Sequence, residues 1–179
     1  MEIKHGMLAT ARQLTSPNCD QRTDEISLLI IHGISLPPGE FGGPWIDALF
    51  TNTLNPDEHE YFKEISHLKV SSHLLIRRDG ELVQYVPFEQ RAWHAGESSF
   101  GGISCCNDFA IGIELEGTDE INYTDEQYQQ LATVIKGIQA EYPAITTDRI
   151  VGHSDVAPGR KTDPGAAFDW ARLRKLLLT

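Results

Sequence analysis

The run Ser27-Leu28-Leu29-Ile30-Ile31-His32 is apolar at almost every position and carries β-branched side chains, which predicts a short buried strand. Two further strands are predicted at Ser71 to Arg77 and Leu82 to Val86, joined by a tight turn at Asp79-Gly80. Phe109 to Leu115 reads as another. Its alternation puts Ile111, Ile113 and Leu115 on one side of the pleat and Glu114 and Glu116 on the other. Gly112, inside that strand, marks a close approach to the backbone. Thr124 to Tyr142 is the clearest helix. Thr124 and Gln127 have capping-box spacing, Tyr128, Leu131, Val134-Ile135 and Ile138 form one stripe, and Pro143 stops it. Arg149 to Gly152 predicts a short strand ending at His153. Asp169 to Leu178 predicts a second helix with Trp170, Leu173 and Leu177 on one face. The segment from Gly33 to Pro44 holds three Pro and four Gly, a long loop and a candidate lid.

This order of strands, helix, strand and helix places the chain in the α/β (α+β) class, with a mixed central sheet flanked by helices. Its 179 residues fit one domain over 1–179, with 1–26 as an N-terminal segment packed on it or leading into it. No internal repeat interrupts the pattern.

Charge narrows the set of partners. Fifteen Lys and Arg against 26 Asp and Glu give a net charge of −11, which disfavours nucleic acid and anionic membranes. The balance is uneven along the chain. Asp108 to Glu126 carries seven carboxylates and no Lys or Arg, whereas Arg149 to Lys175 holds six basic residues against three acidic ones. No apolar stretch has the length of a membrane span or the form of a signal peptide. Three cysteines, Cys19, Cys105 and Cys106, are too few and too unevenly spaced for a disulfide framework. A cytoplasmic protein with free thiols is expected.

Candidate chemistry gathers at strand ends. His32 and His153 each close a predicted strand, and Asp163 follows ten residues after His153. Two imidazoles and a carboxylate make a three-ligand zinc set that leaves one position for water; each His alone is better explained by a hydrogen bond closing its strand. Glu114 or Glu116, on the same strand face, is a candidate general base, and spacing does not choose between them. Lys161, two residues before Asp163, is a candidate oxyanion stabiliser. Trp93-His94-Ala95-Gly96 reads either as a sugar or peptide platform or, for Trp93, as core. Cys105-Cys106 has no zinc-ligand spacing, and His59, His67 and His73 receive no role.

Several segments resemble the AmpD family of cytoplasmic zinc amidases that act on 1,6-anhydro-muropeptides in cell-wall recycling. They are Ile34 to Asp47, Ile76-Arg77-Arg78-Asp79-Gly80, Arg91-Ala92-Trp93-His94-Ala95-Gly96, Gly112-Ile113-Glu114-Leu115-Glu116-Gly117-Thr118-Asp119 and Lys161-Thr162-Asp163-Pro164-Gly165. The resemblance spans nearly the whole chain. It implies a peptidoglycan-recognition-protein-like fold, with His32, His153 and Asp163 holding one zinc ion and Glu114 and Lys161 as catalytic residues. Lys69, Trp93, His94 and Arg160 become candidate substrate contacts for an anhydro-muropeptide. The implied reaction is hydrolysis of the amide between the lactyl group of N-acetylmuramic acid and L-alanine. Alternatives within the superfamily are a peptidoglycan-binding module without catalysis, an amidase acting on intact wall, and a regulatory partner of another protein. Three positions depart from the family pattern: Gly33 replaces an expected Asn, Lys69 an expected Arg, and Cys105 an expected basic residue. All three bear on substrate contacts.

Overall fold

A computed structural model of the chain describes residues 2–179. Six strands form the central sheet: β1 (Arg12–Gln13), β2 (Leu28–Ile34), β3 (Leu74–Ile76), β4 (Leu82–Gln84), β5 (Ala110–Glu116) and β6 (Ile150–Gly152). Their spatial order is β6-β2-β5-β3-β4-β1. β6, β2, β5 and β3 run parallel, β4 returns antiparallel to β3, and β1 joins β4 in parallel. The sheet is therefore mixed, as the element order predicts. The helices are α1 (Trp45–Phe50), α2 (Phe62–Ile65), α3 (Asp125–Glu141), α4 (His153–Val156) and α5 (Trp170–Leu178). None of the described helices is long and apolar enough to cross a membrane.

The two faces of the sheet are covered differently. Leu29, Ile31, Ile111, Ile113 and Leu115 pack against the α3 stripe and Leu173 of α5 in one continuous core. Leu28 to Ile31 are completely buried, and each such side chain contributes about 1.5–3 kcal/mol relative to exposure. On the opposite face the apolar packing is split. One pad gathers Leu28, Ile30, Phe109 and Val156. The other gathers Leu75, Val83 and Tyr85 beneath α1 and α2. His32 and Glu114 project on this second face, at the C-terminal ends of their strands.

The N-terminal segment contributes to the fold directly. Leu8 is fully buried, β1 extends the sheet, and Cys19–Gln21 pairs with Gln90–Ala92. Helix α3 starts with the expected capping box: Thr124 Oγ1 accepts from the Gln127 amide at 3.1 Å, and Gln127 Oε1 accepts from the Thr124 amide at 3.0 Å. The strand expected from Ser71 is shorter, because the Ser71 and Ser72 hydroxyls donate to the Asn18 and Gly112 carbonyls and the ladder begins only at Leu74. Conversely, β2 runs on through Gly33 and Ile34, which pair with Leu115 and Glu116.

Candidate metal and hydrolytic site

Parallel pairing brings the chemistry together. In the β2–β5 ladder His32 lies directly opposite Glu114, and Gly152 of β6 lies opposite Ile31. His153 follows Gly152 as the first residue of α4. The chain then loops back so that the Asp163 carbonyl accepts from the Ser154 amide at 3.0 Å. Three donor atoms converge: His32 Nδ1 and His153 Nδ1 lie 3.0 Å apart, and Asp163 Oδ2 lies 3.3 Å and 3.1 Å from them. Metal–ligand bonds of about 2.0–2.2 Å in a tetrahedron put ligand atoms about 3.3 Å apart, so the residues fit a zinc ion. The remaining nitrogens are tied as well. His153 Nε2 meets the Ala95 carbonyl at 3.1 Å, and His32 Nε2 meets His94 Nδ1 at 2.9 Å.

Electrostatics keeps His32 and Asp163 in their metal-binding protonation states. Burial pushes the His32 imidazole down to about 4 despite the opposing pull of Asp163, so the ring is neutral. Burial alone would raise Asp163, but hydrogen bonds to His153 and His32 outweigh it and hold the carboxylate ionised.

The two candidate bases differ in their surroundings. Glu116 accepts from the Gly42 amide at 2.7 Å, the Arg78 amide at 3.1 Å and Arg77 Nη1 at 3.4 Å. It is a tether, and it fastens the far end of the 33–44 loop, whose Gly43 carbonyl also accepts from Arg77. Glu114 is buried with Oε2 free of any partner among the described residues. Burial, then the nearby Asp163 charge, pushes its carboxyl well above the usual range, with Lys161 opposing. An unsatisfied buried carboxylate beside a metal-binding triad is equipped to exchange a proton.

The triad and Glu114 line a cleft of about 630 Å³. Leu36, Phe50, Tyr61, Leu68, Val70 and Trp93 supply apolar surface, while Thr118, Asp119, Lys161 and Asp163 supply polar surface. Trp93 and exposed Lys161 thus reach the cleft. Exposed Lys69 is not among the lining residues, although Leu68 and Val70 on either side of it are. Arg160 borders the cleft but directs Nη2 to the Ala95 and Glu97 carbonyls, both at 2.6 Å. His94 has Nδ1 against His32 and Nε2 buried, so it offers the cleft neither nitrogen. At Gly33 a side chain would point at the Tyr123 hydroxyl, 2.5 Å from its Cβ, with Pro164 Cα at 3.6 Å and Asp163 Cβ at 3.8 Å. Gly33 lines the cleft, and a side chain on this odd-numbered side of the pleat would face Tyr123, whose hydroxyl donates to the Pro164 carbonyl. Cys105 lies outside the cleft, on a separate surface hollow with Ser98 and Ala157.

His73, which the sequence pattern gives no role, packs against His94 behind the site. It is fully buried, accepts from the Gly112 amide at Nδ1 and donates from Nε2 to the Gln90 carbonyl, each at 3.0 Å. Burial, reinforced by the Arg22 charge, lowers it to about 3. Arg22 spends its guanidinium on the backbone carbonyls of Phe88, Gln90, Asn107, Asp108 and Ala110. The one sequence signal for this packing is Gly112: a Cβ there would lie 2.5 Å from the His94 ring.

Two histidines and a carboxylate gathered over the end of a mixed sheet, with a bare carboxylate beside them, define a metallohydrolase-type site. A family model described as N-acetylmuramoyl-L-alanine amidase matches residues 22–166. The 1,6-anhydro-N-acetylmuramyl-L-alanine amidase AmpD of Salmonella typhimurium strain SL1344 is 63% identical over 174 residues, covering 96% of this chain and 92% of the relative. A crystal structure of a selenomethionine AmpD derivative superposes with a TM-score of 0.97 at 61% identity, covering 99% of both chains. The Escherichia coli amidase AmiD, solved in complex with anhydro-N-acetylmuramic acid-L-Ala-D-gamma-Glu-L-Lys, superposes with a TM-score of 0.61 at 29% identity, over 90% of this chain and 58% of that one. The chain belongs to the N-acetylmuramoyl-L-alanine amidase family, in its AmpD branch.

Proposed function

We propose that this chain is a zinc-dependent amidase that hydrolyses the bond between the lactyl group of 1,6-anhydro-N-acetylmuramic acid and L-alanine during muropeptide recycling in the cytoplasm. The observation that carries the reading is the convergence of His32 Nδ1, His153 Nδ1 and Asp163 Oδ2 within 3.3 Å, with Glu114 on the adjacent strand. Bound there, zinc would polarise the scissile carbonyl and lower the pKa of a water. Glu114 takes the proton of the attacking water and delivers it to the alanine nitrogen as the C–N bond breaks. A buried carboxyl with a raised pKa is suited to both halves of that transfer. Lys161 presents its ammonium to the oxyanion that develops on the lactyl carbonyl. Trp93 and the neighbouring apolar wall exclude water from one side of the substrate.

The muropeptide substrate is supported by the 63% identity to an enzyme named for this activity and by the anhydro-muropeptide bound to AmiD. The three unpaired cysteines suit a reducing compartment. The test is peptide release by the zinc-loaded protein from purified anhydro-muropeptide and, in parallel, from intact peptidoglycan. Metal-dependent cleavage of the first with little of the second is expected. Failure to cleave either substrate would overturn the reading, and equal cleavage of both would overturn the recycling assignment.

A further inference from the structure

From the hydrogen bonds behind the metal-binding triad we infer that His94 is a positioning residue for the metal, acting through His32, and is not a substrate contact. The inference rests on the zinc reading above and extends it one layer outward. His32 turns Nδ1 toward His153 and Asp163, so with a metal there its ring proton resides on Nε2. That nitrogen faces His94 Nδ1 at 2.9 Å. His94 Nδ1 must therefore be the acceptor, which leaves the His94 proton on Nε2, and Nε2 is buried without a partner among the described residues. His94 is thereby fixed in a single tautomer. One nitrogen is engaged by His32, and the other is buried without a hydrogen bond to any described residue.

The site of His94 is built for the ring. Gly112 leaves the space that the imidazole fills, since a Cβ at 112 would lie 2.5 Å from His94 Cγ and Nδ1. The His73 ring packs edge-on against it, with centroids 5.6 Å apart. The backbone on either side is held too. Asn107 Oδ1 accepts from the His94 amide at 3.2 Å and the Ala95 amide at 2.8 Å. Consecutive residues of one loop thus orient both metal histidines, His94 by its side chain and Ala95 by its carbonyl. Second-layer acceptors of this kind set the orientation and basicity of a ligating imidazole, and their loss typically lowers metal affinity 10- to 100-fold.

The experiment compares wild type, His94→Asn and His94→Leu for zinc affinity by chelator competition, for the visible spectrum of the cobalt(II)-substituted protein, and for KM against kcat. Asn can place a carbonyl oxygen near the position of Nδ1 and keep the acceptor, whereas Leu removes it. We expect His94→Leu to bind zinc about 10- to 100-fold more weakly, with a shifted cobalt spectrum, and His94→Asn to recover most of the loss. In both variants KM should stay near the wild-type value once metal is saturating. A rise in KM at unchanged zinc affinity would overturn the inference and return His94 to the substrate contacts. Equal zinc affinity in all three proteins would also overturn it. If His94→Leu does not fold, the Asn variant decides alone: a zinc affinity below about a hundredth of wild type, with a native thermal midpoint, would show that the acceptor is not what matters. Wild-type protein that fails to bind zinc would instead refute the parent reading.

Discussion

His32 and Glu114 are direct partners in a parallel ladder, so two residues 82 positions apart share one face of the sheet at neighbouring strand ends. One belongs to the metal-binding triad, and the other keeps a carboxylate oxygen unbonded beside it. Because the ladder fixes both backbones, their separation does not depend on a mobile loop.

Glu114→Gln should retain zinc and lower kcat by about 10²- to 10⁴-fold, the usual contribution of a positioned general base. Its effect on stability has a defined sign. The folded carboxyl titrates above its unfolded value, so the wild type loses stability as pH rises beyond the unfolded pKa. In metal-free protein Glu114→Gln should therefore melt higher than wild type at neutral pH, and the difference should vanish on acidification. Thermal melts at several pH values would show it; a variant less stable than wild type at pH 7 contradicts the assigned environment.

Glu116→Ala should do the opposite. Glu116 is 2% exposed and tethers the Gly42 amide, the Arg78 amide and Arg77. Removing one partner of a buried pair costs about 3–5 kcal/mol, and the low end applies because Arg77 keeps Asp47 and Glu81. Urea denaturation measures the loss, and limited proteolysis should cut first between residues 39 and 44. Zinc content should be unchanged.

Zinc should stabilise the folded chain by about 2.7 kcal/mol at a free concentration one hundred times its Kd. His153→Ala removes one of three converging donors and should abolish both the rise in Tm and the bound metal. Elemental analysis after dialysis is the independent check; stoichiometric zinc in that variant would disprove the ligand set.

Lys161→Ala should keep zinc and fold normally, since Lys161 is exposed and no ion pair joins it to another described residue. A drop in kcat of about 10²- to 10³-fold is expected for loss of an oxyanion donor. A change confined to KM would place Lys161 among the substrate contacts instead.

Local sequence was enough to specify the periodic elements and the residue types of the site. The α3 stripe, its capping box and the alternation of β5 follow from spacing and local hydrogen bonding, which tertiary packing had only to accept. His32 and His153 were legible because each ends an apolar run, and the family resemblance supplied the choice of Glu114 that alternation left open. Tertiary structure decided what depends on contacts between distant segments. It separated tethered Glu116 from bare Glu114, through Gly42 and Arg77. It engaged His94 with His32 and Arg160 with the Ala95 carbonyl, and it set position 33 against the Tyr123 hydroxyl. It gave buried His73 a packing role that its neighbours in sequence do not announce. A local pattern specifies which face a side chain takes, whereas a hydrogen-bond partner 40 or 60 residues away is fixed only when strand register brings the two together.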